Sequence, residues 1–167
     1  MNIAPEYIYG YAYRLLDQVT PLLHDCGRRC GGACCEDSDS GTGMYLYPGE
    51  KRMYQPLPGW ARIDRSGFFY PGGEADILEC DGSCDRLKRP LACRIFPLVP
   101  YKKQGEKMRI IYDPRATAMC PLRPQELTDK FVRNVTCAMC AVEKLKSARL
   151  FIEAQSMLID AYVKFKL

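Results

Sequence analysis

The 167-residue chain has one histidine and one tryptophan. One histidine cannot supply the several imidazoles that metal hydrolases keep around an open coordination position, so a His-rich catalytic metal site is excluded. Ser-His-Asp chemistry would rest on His24 alone. No dinucleotide fingerprint or phosphate-cradling loop is present, and Gly41-Thr42-Gly43 is too short to serve as one. No run approaches the roughly 18 apolar residues of a membrane span. The opening Met1-Asn2-Ile3-Ala4-Pro5-Glu6-Tyr7 lacks the basic and apolar regions of a signal peptide. Charge is not one-sided either: 24 basic and 20 acidic residues leave +4, too little to imply a nucleic-acid partner.

What the chain does have is cysteine, ten residues of it. That is about 6%, below the density of a secreted disulfide scaffold. A chain of this length buries roughly two-thirds of its unfolded surface and does not need cross-links to hold a core. The expected compartment is the cytoplasm, where clustered cysteines more often hold metal or do redox work than form stable disulfides.

Without internal repeats or low-complexity linkers, the sequence reads as a single domain, residues 1–167. Ile8, Ala12, Leu15, Val19 and Leu22 recur at helical spacing and predict an N-terminal helix. Thr20-Pro21 fits an N-cap and first helical position, predicting a short second helix that delivers the chain to Cys26. From Cys26 to Thr42 the chain is rich in Gly, Ser, Asp and Cys, so apolar burial cannot order it. Pro48-Gly49-Glu50 opens a short helix through Tyr54, and Pro58-Gly59 follows as a stop. Arg94–Tyr101, with Pro97 and Pro100, suits extended edge structure, and Met108–Tyr112 reads as a strand. Leu127, Phe131, Val135, Ala138, Val142 and Leu145 describe a long amphipathic helix. Ala154, Met157, Leu158, Ala161 and Phe165 describe a last one. The expected fold class is α+β, with helices at both ends packed around a loop-rich, cysteine-bearing centre with short strands. The cysteine region covers about residues 26–123 and the C-terminal helices about 124–166.

The cysteines fall into groups: Cys26, Cys30, Cys34 and Cys35, then Cys80 and Cys84, Cys93, Cys120, and the pair Cys137 and Cys140. Thiolates close in sequence can converge on one ion, and Gly27, Gly31 and Gly32 let the intervening backbone bend. Four sulfurs suit tetrahedral zinc or an iron–sulfur cluster. The first group sits among Arg28, Arg29, Glu36 and Asp37, which is a poor setting for cysteines acting as small core residues. His24 stands near Cys26, but a lone histidine at a helix end reads as a solvated cap.

Cys26-Gly-Arg-Arg-Cys30-Gly-Gly-Ala-Cys34-Cys35 resembles the opening motif of the YkgJ-like cysteine-cluster family, described as a zinc- or iron-chelating domain. Cys84-Asp-Arg-Leu-Lys-Arg89-Pro90-Leu-Ala-Cys93-Arg94-Ile-Phe96-Pro97 looks like its Cys…Arg-Pro-x-x-Cys-Arg-x-aromatic-Pro signature. Thr42-Gly43-Met44 and Leu46-Tyr47-Pro48-Gly49-Glu50 are similar to its linking segment. The first motif departs from the family in using gaps of three where gaps of two are common. The resemblance implies Cys26, Cys30, Cys34, Cys35, Cys80, Cys84 and Cys93 as the family's cysteines, with Cys120 before Pro121-Leu122 as an addition. Seven or eight cysteines exceed one four-thiolate site, so either a second site exists or several support the ligands from outside.

Arg89 and Arg94 flank Cys93. Four thiolates around a dipositive centre leave a local charge of −2, which guanidinium groups would offset. Cys137 and Cys140 fall on the helix face that carries Lys130, Arg133 and Lys144, where basic neighbours could favour thiolates. The favoured reading of that pair is a helix buried on both sides with two small side chains in a tight contact. Tyr45, Tyr47, Tyr54, Trp60, Phe68, Phe69 and Tyr70 read first as the core of a small sheet, and second as a shell shielding a cluster. Interleaved with Lys51, Arg52, Arg62 and Arg65 they could form a single-strand nucleic-acid platform, but the net charge argues against it.

The leading expectation is therefore a metal-binding protein that holds zinc or an iron–sulfur cluster through cysteines, with no catalytic residue set shown. One alternative is a cluster-dependent enzyme or electron-transfer component, since similar clusters accompany flagellin lysine methylases. Another is a structural-zinc interaction module that presents its basic helix to a protein partner.

Overall fold

The computed structural model describes residues 4–35, 43–82 and 84–165. Residues 1–3, 36–42, 83, 166 and 167 lie outside the described residues, among them Met1, Asn2, Ile3, Glu36, Asp37, Gly41 and Thr42 named above. The chain is α+β, as its periodicities indicate, with helices at both ends and small antiparallel sheets between them.

Helix α1 spans Pro5–Leu16. Proline in its first turn loses no intrahelical hydrogen bond, and Glu6 complements the positive helix end. Ile8, Tyr9, Ala12 and Leu16 are buried. The helix ends at Leu16, short of the expected stripe, although Val19 still packs into the core. No helix starts at Pro21. The Thr20 hydroxyl donates to the Leu22 carbonyl instead of accepting from a helical N–H, so the expected cap is not formed.

Helix α4 covers Asp129–Val142, and the Thr128 hydroxyl caps it by accepting from Phe131 N–H at 3.2 Å. Helix α5 runs Lys146–Phe165, so the C-terminal helical region turns once, at residues 143–145. Phe131, Val135, Ala138, Met139 and Val142 of α4 meet α1 and α5 in one apolar cluster. Full burial of each large side chain stabilises the fold by about 1.5–3 kcal/mol. Asn134 donates to the Leu15 carbonyl at 2.7 Å, tying α4 to the end of α1.

Strands β1 (Met44–Tyr45), β2 (Ala61–Tyr70) and β3 (Gly73–Cys80) form an antiparallel sheet in the order β1-β3-β2. Ala61 pairs with Cys80, so the β2–β3 hairpin sets down a cysteine at its open end. Tyr45, Tyr47, Phe68 and Tyr70 surround Phe151 of α5, their ring centroids 5.5–6.2 Å from its own. That is the core role expected of them, with Phe69 the exception at 71% exposed.

Strands β4 (Leu98–Tyr101) and β5 (Arg109–Tyr112) make a separate two-stranded ladder. Having one partner only, β4 tolerates Pro100. The preceding Leu91–Ile95 is a short helix, α3, so Arg94 is helical and not extended as expected.

Glu50 is fully buried in the one-turn helix Glu50–Met53. Its carboxylate accepts from Tyr13 O–H at 2.6 Å, Leu91 N–H at 2.6 Å and Tyr47 N–H at 2.9 Å. Burial pushes its pKa up, against those hydrogen bonds and the charge of Arg94. The group joins α1, α3 and the strap after β1.

Candidate metal centre

Cys26 stands at the N-cap position of the single-turn helix α2, Gly27–Cys30, and the Cys30 thiol points back to the Cys26 carbonyl at 3.9 Å. Gly31 and Gly32 follow with φ of 67° and 84°, left-handed values that side chains rarely adopt. They reverse the chain into a 3-10 turn, Ala33–Cys35, where the sulfurs of Cys34 and Cys35 stand 3.8 Å apart. Cys80 ends β3, Cys84 lies beyond the Gly82 turn, and Cys93 sits within α3. Cys120 follows the 3-10 helix Pro114–Ala118, its N–H donating to the Ala116 carbonyl at 2.7 Å.

These segments surround a cavity of about 480 Å³ lined by Cys26, Cys30, Cys34, Cys35, Cys93 and Cys120. Arg28, Arg86, Arg89 and Arg94 also reach it, with Asp25 as the acidic member. Cys80 and Cys84 join the group electrostatically, since both act on Cys93. All ten cysteines are free thiols. Among the described residues no three Cys, His, Asp or Glu side chains already converge as an ion would hold them.

Two stitches hold the cavity wall. Arg29 pairs with Glu126, which also accepts from Arg123 N–H at 2.6 Å, and Thr128 N–H donates to the Pro21 carbonyl at 2.9 Å. These contacts fasten the Cys26–Cys30 segment to the Cys120 segment. On the other side a Cβ at Gly82 would meet the Cys35 carbonyl at 3.2 Å, so the loop carrying Cys84 lies directly on the Cys34–Cys35 turn.

Arg89 donates from Nε to the Cys84 sulfur at 3.3 Å, a hydrogen bond that favours the thiolate. Arg94 was expected beside the sulfurs as well. It lines the same cavity, but its hydrogen bonds go elsewhere. Nη1 meets Asp17 at 2.6 Å, Nε meets the Arg89 carbonyl at 2.7 Å, and Nη2 meets the Leu87 carbonyl. Its guanidinium also lies 4.1 Å from the Tyr13 ring centre. Arg94 thus fixes the 87–89 backbone and holds Arg89 in position.

The thiols differ in acidity. Burial pushes Cys26 up, with Asp25 adding to the effect and Arg86 opposing it. Burial likewise pushes up Cys84, against Arg89, and Cys93 far above the usual thiol range. Within the vicinal pair the hydrogen bond from Cys34 holds Cys35 down at about 6, helped by Arg89, while Cys34 keeps its proton well above the ordinary range. Tyr112, above Cys120, is pushed up to about 12 by burial and by that cysteine.

The remaining candidates stand apart. Cys137 and Cys140 are exposed on α4, which corrects the expectation of a tight buried contact. Lys130, Arg133 and Lys144 on the same face are exposed too, so only one side of α4 is buried. Burial and Glu143 push Cys140 up, so its basic neighbours do not activate it. His24 is exposed, and its carbonyl accepts from the Thr20 hydroxyl at 3.3 Å. Arg86 and Asp25 line the cavity without having been singled out from the sequence. Arg86 lies inside the Cys84–Pro97 signature, where its charge beside Cys84 was the available signal.

Among the described residues no helix is long and apolar enough to cross a membrane. Comparison with family models, curated proteins and solved structures finds no match to this chain.

Proposed function

We propose that this chain is a metal-binding protein that holds zinc or an iron–sulfur cluster through cysteine thiolates. The observation that supports the reading is the cavity itself. Three stretches far apart in sequence deliver six cysteines to one concave surface, together with four arginines. Core cysteines acting as small apolar residues would be enclosed by apolar side chains and would need no cations. The donor set is soft and all-thiol, with the one histidine turned to solvent, which suits tetrahedral zinc or an iron–sulfur centre.

Zinc would supply a structural cross-link there, and an iron–sulfur cluster an electron-carrying centre. The chain's own residues prepare the site. Arg89 favours the Cys84 thiolate, Arg94 keeps Arg89 in place, and the glycine pair turns Cys34 and Cys35 toward Cys26 and Cys93. Because burial keeps Cys26, Cys84 and Cys93 protonated, loading would release protons and weaken as pH falls.

Membership of the YkgJ-like cysteine-cluster family and a reducing cytoplasmic setting belong to the same proposal. Ten free thiols and the quoted motifs support it. Metal and sulfide analysis of protein purified without oxygen tests it. Brown protein with iron and sulfide supports the cluster form, and colourless protein with zinc supports the structural form. Protein with neither, its cysteines paired as disulfides, would refute the proposal. Cys26→Ser and Cys93→Ser are each expected to lower bound metal, while Cys137→Ser leaves it unchanged.

A further inference from the structure

We infer that the eight cysteines form two four-thiolate centres, Cys26, Cys30, Cys34 and Cys120 in one and Cys35, Cys80, Cys84 and Cys93 in the other, which meet at the Cys34–Cys35 peptide bond. The inference rests on the proposed thiolate metal binding and deepens it. Eight thiolates are twice what one tetrahedral ion takes, so the sulfurs must be divided between centres or left partly unused.

The division follows the way the wall is stitched. Arg29–Glu126 and Thr128–Pro21 bring the Cys120 segment to the Cys26–Cys30 segment. The Gly82–Cys35 contact and the Arg94–Arg89 hydrogen bond bring the Cys84 loop and α3 to Cys35. Cys80 arrives on the same side because the β2–β3 register ends there. Adjacent residues in a 3-10 turn point about 120° apart, so Cys34 and Cys35 can serve different neighbours.

Within the first set the Cys30 thiol points back to the Cys26 carbonyl at 3.9 Å, and within the second Arg89 Nε reaches the Cys84 sulfur at 3.3 Å. The Cys34 and Cys35 sulfurs, one from each set, stand 3.8 Å apart. Each set also has its own guanidinium, Arg86 beside Cys26 and Arg89 beside Cys35, Cys84 and Cys93. One cation per centre offsets part of the −2 that four thiolates leave around a dipositive ion. The rival arrangement is a single ion gripped by Cys34 and Cys35 together. Sulfurs on one tetrahedral zinc at about 2.3 Å would also stand about 3.8 Å apart.

Anaerobic titration of the reduced, metal-free full chain with Co²⁺, followed by thiolate-to-cobalt absorption, separates these arrangements. Saturation at two equivalents is expected. Saturation at one overturns the division and leaves thiolate metal binding standing, whereas no thiolate-to-cobalt band overturns both. Paired variants assign the sulfurs. Cys34→Ser with Cys120→Ser should retain one equivalent, and so should Cys35→Ser with Cys80→Ser. Cys80→Ser with Cys120→Ser should retain none. Loss of both equivalents in either of the first two pairs, or retention of one in the last, overturns the assignment. Helical circular dichroism from α1, α4 and α5 reports folding of each variant, and the count on the unsubstituted chain decides between one centre and two regardless of how the variants fold.

Discussion

Phe151 and Cys34 mark two regions of this molecule that are held in different ways. Phe151 is 1% exposed, ringed by four aromatic side chains and set in a 20-residue helix. Cys34 is exposed, in a three-residue turn with no buried residue, reached through two left-handed glycines. The helical frame stays folded because apolar surface leaves water. The cysteine edge has little such surface. Hydrogen bonds and ion pairs to backbone and carboxylates hold it, and thiols face an open cavity.

That contrast can be broken at several points. On the metal proposal, chelation should have the largest effect, because structural zinc in small fingers contributes about 10–16 kcal/mol. Hydrogen exchange should speed up across residues 26–35 and 80–93 while α4 and α5 keep their protection. Unchanged exchange at the edge would show that it orders itself without metal. In the frame, Phe151→Ala should cost about 3–5 kcal/mol in urea unfolding, by leaving a cavity that the aromatic ring cannot close. A loss below about 1 kcal/mol would mean that the aromatic cluster is not the keystone of the frame.

Asp17→Ala lies between the two regions. It removes the carboxylate from Arg94, whose side chain is 4% exposed, and should cost about 2 kcal/mol, typical of a hydrogen bond to a charged group. Because Arg94 also holds the Leu87 and Arg89 carbonyls, exchange at residues 87–89 should rise with it. A stability loss without that local change would separate Arg94 from the positioning of Arg89. The smallest effect is expected on the surface. Arg52→Ala breaks the 2.9 Å pair with Glu6, both side chains being at least 40% exposed, and should change stability by under about 1 kcal/mol in thermal melts.

The frame was legible in the sequence wherever local rules decide structure. The α4 stripe and its Thr128 cap involve residues a few positions apart, and the tyrosine and phenylalanine run went into the sheet core as composition suggests. Local signals misled where a longer contact prevailed. Thr20-Pro21 has the composition of a helix start, but the Pro21 carbonyl is committed to Thr128 N–H and the Thr20 hydroxyl to Leu22. Arg94 sits one residue from Cys93, but its partner Asp17 is 77 residues away. Nearness in sequence suggested a charge offsetting thiolates, whereas the Arg94 guanidinium is paired with a carboxylate.

The sequence by itself determined the chemistry on offer: soft thiol donors, one histidine, and helices amphipathic enough to form a frame. These follow from composition and from periods of a few residues, which no folding event can alter. Only the tertiary structure decided which cysteines keep company. Arg29 and Glu126, 97 residues apart, bring Cys120 toward Cys26, and the β2–β3 register sets Cys80 near Cys84 and Cys93. Such pairings depend on where packed elements leave their ends, and spacing along the chain carries no trace of that.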